Sequence, residues 1–185
     1  MLKTELLEII ANGENYGIEF KRDDIRPEQL AKEVVALVNF QGGKVLLGIE
    51  DDGTISGTQR PNLEEWVMNV IQDKIHPMIL PLYEEIQIDQ ESTVAVVSFP
   101  QGISKPYVVR DRGKEEIYIR IGSISRRATR EQQMRLFEIG GMLHTEVLPV
   151  PRTDISCMDE ARLQNYLKDI LHDPDIPSTP QEWET

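Results

Sequence analysis

Gly42-Gly43-Lys44-Val45-Leu46-Leu47-Gly48-Ile49-Glu50-Asp51-Asp52-Gly53 is the stretch on which the fold turns. Lys44 to Glu50 is apolar almost without interruption, and such a run marks a strand covered on both faces. Asp51-Asp52-Gly53 is a tight turn, after which Thr54-Ile55-Ser56 returns as a short partner strand. Upstream, Leu30, Val34, Leu37 and Val38 keep helical spacing from Pro27 onward. Gly42-Gly43 stops that helix. A buried strand fed by an amphipathic helix requires a layered α/β body.

The remaining chain fills in the layers. Residues 4–11 read as a short amphipathic helix and Ile18 to Lys21 as a short strand. Asn62 with Glu65 resembles a capping box opening a helix that buries Leu63, Trp66, Val67, Val70 and Ile71 and ends before Pro77. Strands follow near Tyr83–Ile88, Thr93–Phe99 and Glu116–Ile121. In the last, alternation turns Ile117, Ile119 and Ile121 inward and Tyr118 and Arg120 outward. Thr129 with Gln132 forms another capping box, and its helix runs to Gly140-Gly141. The expected architecture is mixed α/β, α+β-like, with a mixed central sheet of about five to six strands flanked by helices. Residues 1–144 form the main domain. Residues 145–185 read as a linker and the start of a following helical domain. There a helix is expected at 158–171, and a helix start at Thr179, Pro180 and Glu182 implies that the chain continues.

Composition narrows the function. Of 185 residues, 39% are hydrophobic and 28% charged, enough for a packed core. No apolar run approaches the roughly 18 residues of a membrane span. The N-terminus lacks a signal-peptide pattern, and the expected location is the cytoplasm. The single cysteine, Cys157, excludes an internal disulfide and a multi-cysteine zinc site, and reads as packing. The net charge of −12 argues against a polyanion partner, but it is unevenly spread. From Lys105 to Arg130 there are eight basic residues against Asp111, Glu115 and Glu116, a net of +5, which leaves −17 on the rest.

Two constellations carry candidate chemistry. Glu14, Glu19 and Lys21, with the strand-end group Glu50-Asp51, bring carboxylates near a lysine. Such a set can hold a hard divalent cation and steady developing negative charge. The same residues equally make a solvated turn and a surface ion pair. The second constellation is the basic stretch. Lys105, Arg110, Arg112, Arg120, Arg126, Arg127 and Arg130 are candidate phosphate contacts, the last three crowding a helix start. Tyr107 and Tyr118 are candidates for base stacking. The alternative is a solvated basic face that pairs with the acidic body or a sister subunit. Gln41-Gly42-Gly43-Lys44 is not a phosphate loop, because Val45 follows and the next element is a strand.

Taken in order, Glu14-x4-Glu19-Phe20-Lys21, Asn39 to Gly57, Lys105-Pro106-Tyr107 and Tyr118-Ile119-Arg120-Ile121-Gly122-Ser123-x-Ser125-Arg126-x-Ala128-Thr129 resemble the Schlafen/AlbA-type domain, once labelled a divergent AAA domain. The resemblance covers roughly residues 10–140. It implies a mixed α/β module that binds nucleic acid, DNA foremost, at the N-terminus of bacterial proteins described as transcriptional regulators or ATP-dependent helicase-related. Winged-helix segments often follow in such proteins. The older label suggests ATP, but no Walker pattern supports it. Some eukaryotic relatives are metal-dependent RNA endonucleases. On that pattern Glu14, Glu19 and Asp51 would hold Mg²⁺ or Mn²⁺, with Lys21 stabilising charge on the scissile phosphate. Those nucleases join two lobes and carry zinc, whereas this chain has one lobe, which a homodimer would double. A protein-interaction or oligomerisation module is the third reading. No membrane partner is implied.

Overall fold

The computed structural model describes residues 1–90, 92–142, 157 and 159–171. The chain forms two compact units, Met1–Leu143 and His144–Thr185. The first contains helices α1 (Lys3–Asn12), α2 (Pro27–Phe40), α3 (Leu63–Lys74) and α4 (Arg130–Ile139). Its strands are β1 (Ile18–Lys21), β2 (Gly43–Leu47), β3 (Ile75–His76), β4 (Leu82–Gln87), β5 (Thr93–Phe99), β6 (Val108–Asp111), β7 (Lys114–Glu116), β8 (Tyr118–Ile121) and β9 (Ile124–Arg127).

The architecture is mixed α/β, but among the described residues the strands occupy three sheets rather than one. The central sheet has four strands in the order β1-β2-β5-β4. β1 runs parallel to β2, and β5 runs antiparallel to both β2 and β4. β3-β6-β7 and β8-β9 form two smaller antiparallel sheets. The apolar run of β2 is covered twice, as its composition requires. Val45 and Leu47 join one core with Val34, Leu37, Val67 and Ile71 of α2 and α3. Leu46, one residue out of phase, joins a second core with Leu6 of α1, Phe20, Val94 and Val96. The 54–56 return is reduced to a single bridge between Ile49 and Ile55.

Helix ends follow local chemistry, with one exception. Thr129 and Gln132 form the capping box of α4: Gln132 N donates to Thr129 Oγ1 (3.4 Å) and Thr129 N to the Gln132 side chain (2.9 Å). Asn62 does not cap α3. It sits in the left-handed region (φ 52°) and its side chain makes no capping bond. α2 stops at Gly42 (φ 80°), where a Cβ would lie 2.5 Å from the carbonyl oxygen of Phe99, so both conformation and space demand glycine.

Within the second unit, α5 (Glu160–Asn165) runs into a π-helical segment, Tyr166–Leu171, consistent with the helix expected there. Asp159 caps α5 by accepting from Arg162 N at 3.1 Å. Cys157 is exposed, not packed. The proline-rich link and the helix start at Thr179 lie outside the described residues. No described helix is long and apolar enough to cross a membrane.

Candidate functional site

β1 brings the first constellation together. Its parallel register on β2 sets Lys21 beside Leu47, and Lys21 accordingly reaches the strand-end turn. Lys21 Nζ lies 2.8 Å from Glu19, 3.3 Å from Asp51 and 3.8 Å from Glu14. Glu14 also accepts from the backbone N–H of Phe20 at 2.8 Å. The lysine is largely buried (side-chain exposure 15%). Burial pulls its pKa down, but the hydrogen bond to Glu19 and the charges of Glu19, Glu14 and Asp51 outweigh it and raise the value. Glu14 is held above the usual carboxylate range, chiefly by burial, against the pull of the Phe20 N–H. Lys21 is therefore a firmly charged ammonium.

Glu19 has a second partner. Arg120 enters from β8 with its side chain fully buried, and its Nη1 pairs with Glu19 Oε2. The same guanidinium lies 3.6 Å from Glu33 of α2 and donates to Ser125 Oγ (3.1 Å), to the carbonyl of Asn15 (2.8 Å) and to that of Ile18 (3.0 Å). Glu33 was not among the residues singled out from the sequence. Its signal was available: it lies three residues after Leu30 and four before Leu37, on the buried stripe of α2.

The resemblance implies Mg²⁺ or Mn²⁺ on Glu14, Glu19 and Asp51, and this donor set does not fit the ion. The three carboxylates converge on Lys21, which takes the position a cation would need, and Glu19 is further committed to Arg120. Among the described residues no three His, Cys, Asp or Glu side chains are arranged to hold a metal. Micromolar binding would raise the melting temperature by about 5–10 °C at a hundredfold excess over Kd. We expect 0.1 mM-scale MnCl₂ (about 100 times a micromolar Kd) to leave the melting curve unmoved. A rise of that size in differential scanning fluorimetry would contradict the assignment.

The second constellation divides. Lys105 is 3% exposed and donates to the carbonyl of Phe40, at the end of α2, at 2.7 Å. Burial lowers its pKa. It closes a helix C-terminus, where a cation is favoured, and is not available to phosphate. Tyr107 is 4% exposed, in the α2/α3 core, and cannot stack on a base. Asn39 explains why: its side chain donates to the carbonyls of Tyr107 (2.8 Å) and Tyr118 (2.9 Å) and accepts from Tyr107 N (2.8 Å). Asn39, Lys105, Tyr107 and Arg120 are thus internal fasteners that tie β6 and β8 to α2. Tyr118 is half-buried, and burial together with its bond to Glu116 (2.6 Å) pushes its pKa up to about 12.

β8 is turned inside out relative to its apolar pattern. Arg120 and Ser125 face inward, and Ile121 and Ile124 are each about half exposed (51% and 52%). The cause is electrostatic: Glu19 and Glu33 are both buried, Lys21 and Lys32 each reach one of them, and Arg120 is the countercharge that the two share.

The remaining cations are at the surface. Arg126 and Arg130 are exposed, with no ion pair among the described residues. Arg127 pairs with Glu116 at 3.2 Å and stays 67% exposed. Arg110 is held by Glu115 at 2.6 Å, and Arg112 lies 4.0 Å from Asp111. Exposed pairs of this kind contribute about 0–1 kcal/mol and yield readily to a phosphate. The start of α4 offers phosphate fewer amides than expected, since the Thr129–Gln132 capping box uses those of Thr129 and Gln132. An exposed aromatic the sequence reading did not choose is Tyr16, edge-to-face with Phe40 at 6.1 Å.

Solved structures share the fold. The DIP2311 protein of Corynebacterium diphtheriae is 18% identical with a TM-score of 0.55; the match covers 96% of this chain and 41% of that one. The N-terminal domain of a Nitrosomonas europaea protein, described as ATP-dependent DNA helicase RecG-related, is 23% identical with a TM-score of 0.51, over 70% of this chain and 94% of that one. No curated protein matches. Residues 14–129, well over half of the chain and spanning β1 to β9, match the Schlafen, AlbA_2 family. The chain belongs to that family.

Proposed function

We propose that this chain is a nucleic-acid-binding module, with DNA as its partner, of the kind found in bacterial regulator-like proteins. The observation that carries the reading is the run from Ile117 to Arg130. It holds no acidic residue, and it exposes Arg126, Arg127 and Arg130 on a chain of net charge −12. Against that background a polyanion is drawn toward this run, which favours orientation as well as affinity. Arg110 and Arg112, on the β6–β7 hairpin, are further exposed contacts. Family membership supports a nucleic-acid role, and the RecG-related description of one structural neighbour is compatible with it. Recognition of this kind is read in salt. Fluorescence anisotropy with labelled duplex DNA should show log K falling by roughly 0.9 per phosphate contact per decade of salt. Binding that ignores salt overturns the proposal.

The endonuclease reading is not favoured, because its carboxylates are engaged by Lys21 and Arg120. A homodimer remains compatible with the binding role but has no observation of its own.

A further inference from the structure

The inverted β8–β9 ribbon presents an outward face whose tip, Ile121 and Ile124, is about half exposed. Cross-strand pairs place Ile119 opposite Arg126 and Ile121 opposite Ile124, the latter two flanking the Gly122-Ser123 turn. Arg120 and Ser125 occupy the inward face, so Ile119, Ile121, Ile124 and Arg126 share the outward one. The two strands pair only with each other among the described residues.

We infer that this outward face enters the major groove of B-form DNA, with its isoleucines against thymine methyl groups and Arg126 and Arg130 on the flanking phosphates. The inference rests on the binding role proposed above and specifies its ligand. Size agrees. Four residues per strand span about 13 Å, and two strands lie about 5 Å apart. B-DNA's major groove, about 12 Å wide, admits a two-stranded ribbon. The deep, narrow major groove of duplex RNA does not. Charge selects the polyanion over a second copy of this chain. Copies meeting through this face would oppose arginine to arginine, with no carboxylate between Ile117 and Arg130 to answer it. The isoleucines supply what phosphate contacts cannot, since apolar contact with the thymine methyl reads a base rather than a backbone.

The test uses the 185-residue chain, labelled A·T-rich duplex DNA, the same duplex with deoxyuridine for thymidine, and the matching duplex RNA. Ile121→Ser with Ile124→Ser changes only half-exposed side chains at the ribbon tip, and its melting temperature should match that of the parent. Its affinity for the thymidine duplex should fall about tenfold, with the slope of log K against log salt unchanged. The parent should lose affinity to a similar degree on the deoxyuridine duplex, and bind the RNA duplex more weakly still. An unchanged affinity of the double variant overturns the inference. So does equal binding to RNA, or a shift from dimer to monomer in sedimentation without loss of DNA affinity. Failure of the parent to bind any duplex sinks the binding role itself. Parent binding with an indifferent double variant sinks only the groove assignment.

Discussion

Arg120→Ala lowers the melting temperature by roughly 10 °C or more, the largest stability loss expected from one substitution in this fold. The reason is what it leaves behind. Glu19 and Glu33 are each about 6% exposed in their side chains, and both face the guanidinium. The carbonyls of Asn15 and Ile18 lose their donor at the same time. Removing one partner of a buried pair costs about 3–5 kcal/mol, and each kcal/mol moves a domain of this size by about 2–4 °C. Arg120→Lys should recover only part of the loss. An ammonium cannot reach Glu19, Ser125 and two carbonyls from one planar fork. Glu19→Ala should be comparably damaging, and it should act on the melting curve rather than on a ligand alone. A melting temperature within about 2 °C of the parent for Arg120→Ala contradicts the fastener role, since surface substitutions cost within about 0.5 kcal/mol.

The second large effect is on binding. Replacing Arg126, Arg127 and Arg130 together with alanine removes three exposed charges and no core contact. At about 0.9 per phosphate contact, the slope of log K against log salt should flatten by about 2.7, and affinity near 0.1 M salt should fall on the order of 10²- to 10³-fold. The melting curve should move little, because the only described ion pair lost is the exposed one between Arg127 and Glu116. Lys105→Met should do the reverse, changing stability while leaving the salt slope alone. Equal slopes for parent and triple variant would place the phosphate contacts elsewhere.

These two results separate arginines that look alike in the sequence. Periodicity carried the reading where burial is purely hydrophobic. β2 and β5 follow from their apolar runs because nothing competes with packing there. It failed at β8, where two isoleucines outnumber one arginine. Full burial of an isoleucine is worth about 1.5–3 kcal/mol, whereas breaking a buried ion pair costs about 3–5 kcal/mol, and Arg120 pairs with both Glu19 and Glu33. The strand therefore turns its charge inward. Glu33 could have been found from the helical wheel of α2. Glu19 gave no comparable sign, because strand β1 is too short for alternation to be read. The 105–107 segment misled for a related reason. Lysine next to an aromatic reads as a polyanion contact. Here Lys105 closes the end of α2 and Tyr107 packs at Gly102, where a Cβ would come within 2.3 Å of the ring. Strands β6 and β9 were missed as strands because each is four residues long and rich in charge. The family resemblance was legible in motif order, and its residues prove to be largely structural.

The central claim is that polyanion contact centres on the β8–β9 ribbon and the start of α4. Amide chemical-shift mapping of the ¹⁵N-labelled chain, titrated with duplex DNA at low salt, tests it directly. Shifts concentrated from Ile119 to Arg130 are predicted, with the amides around Glu14, Glu19 and Asp51 unmoved. Shifts centred on that carboxylate cluster, or no shifts at all, would contradict the account.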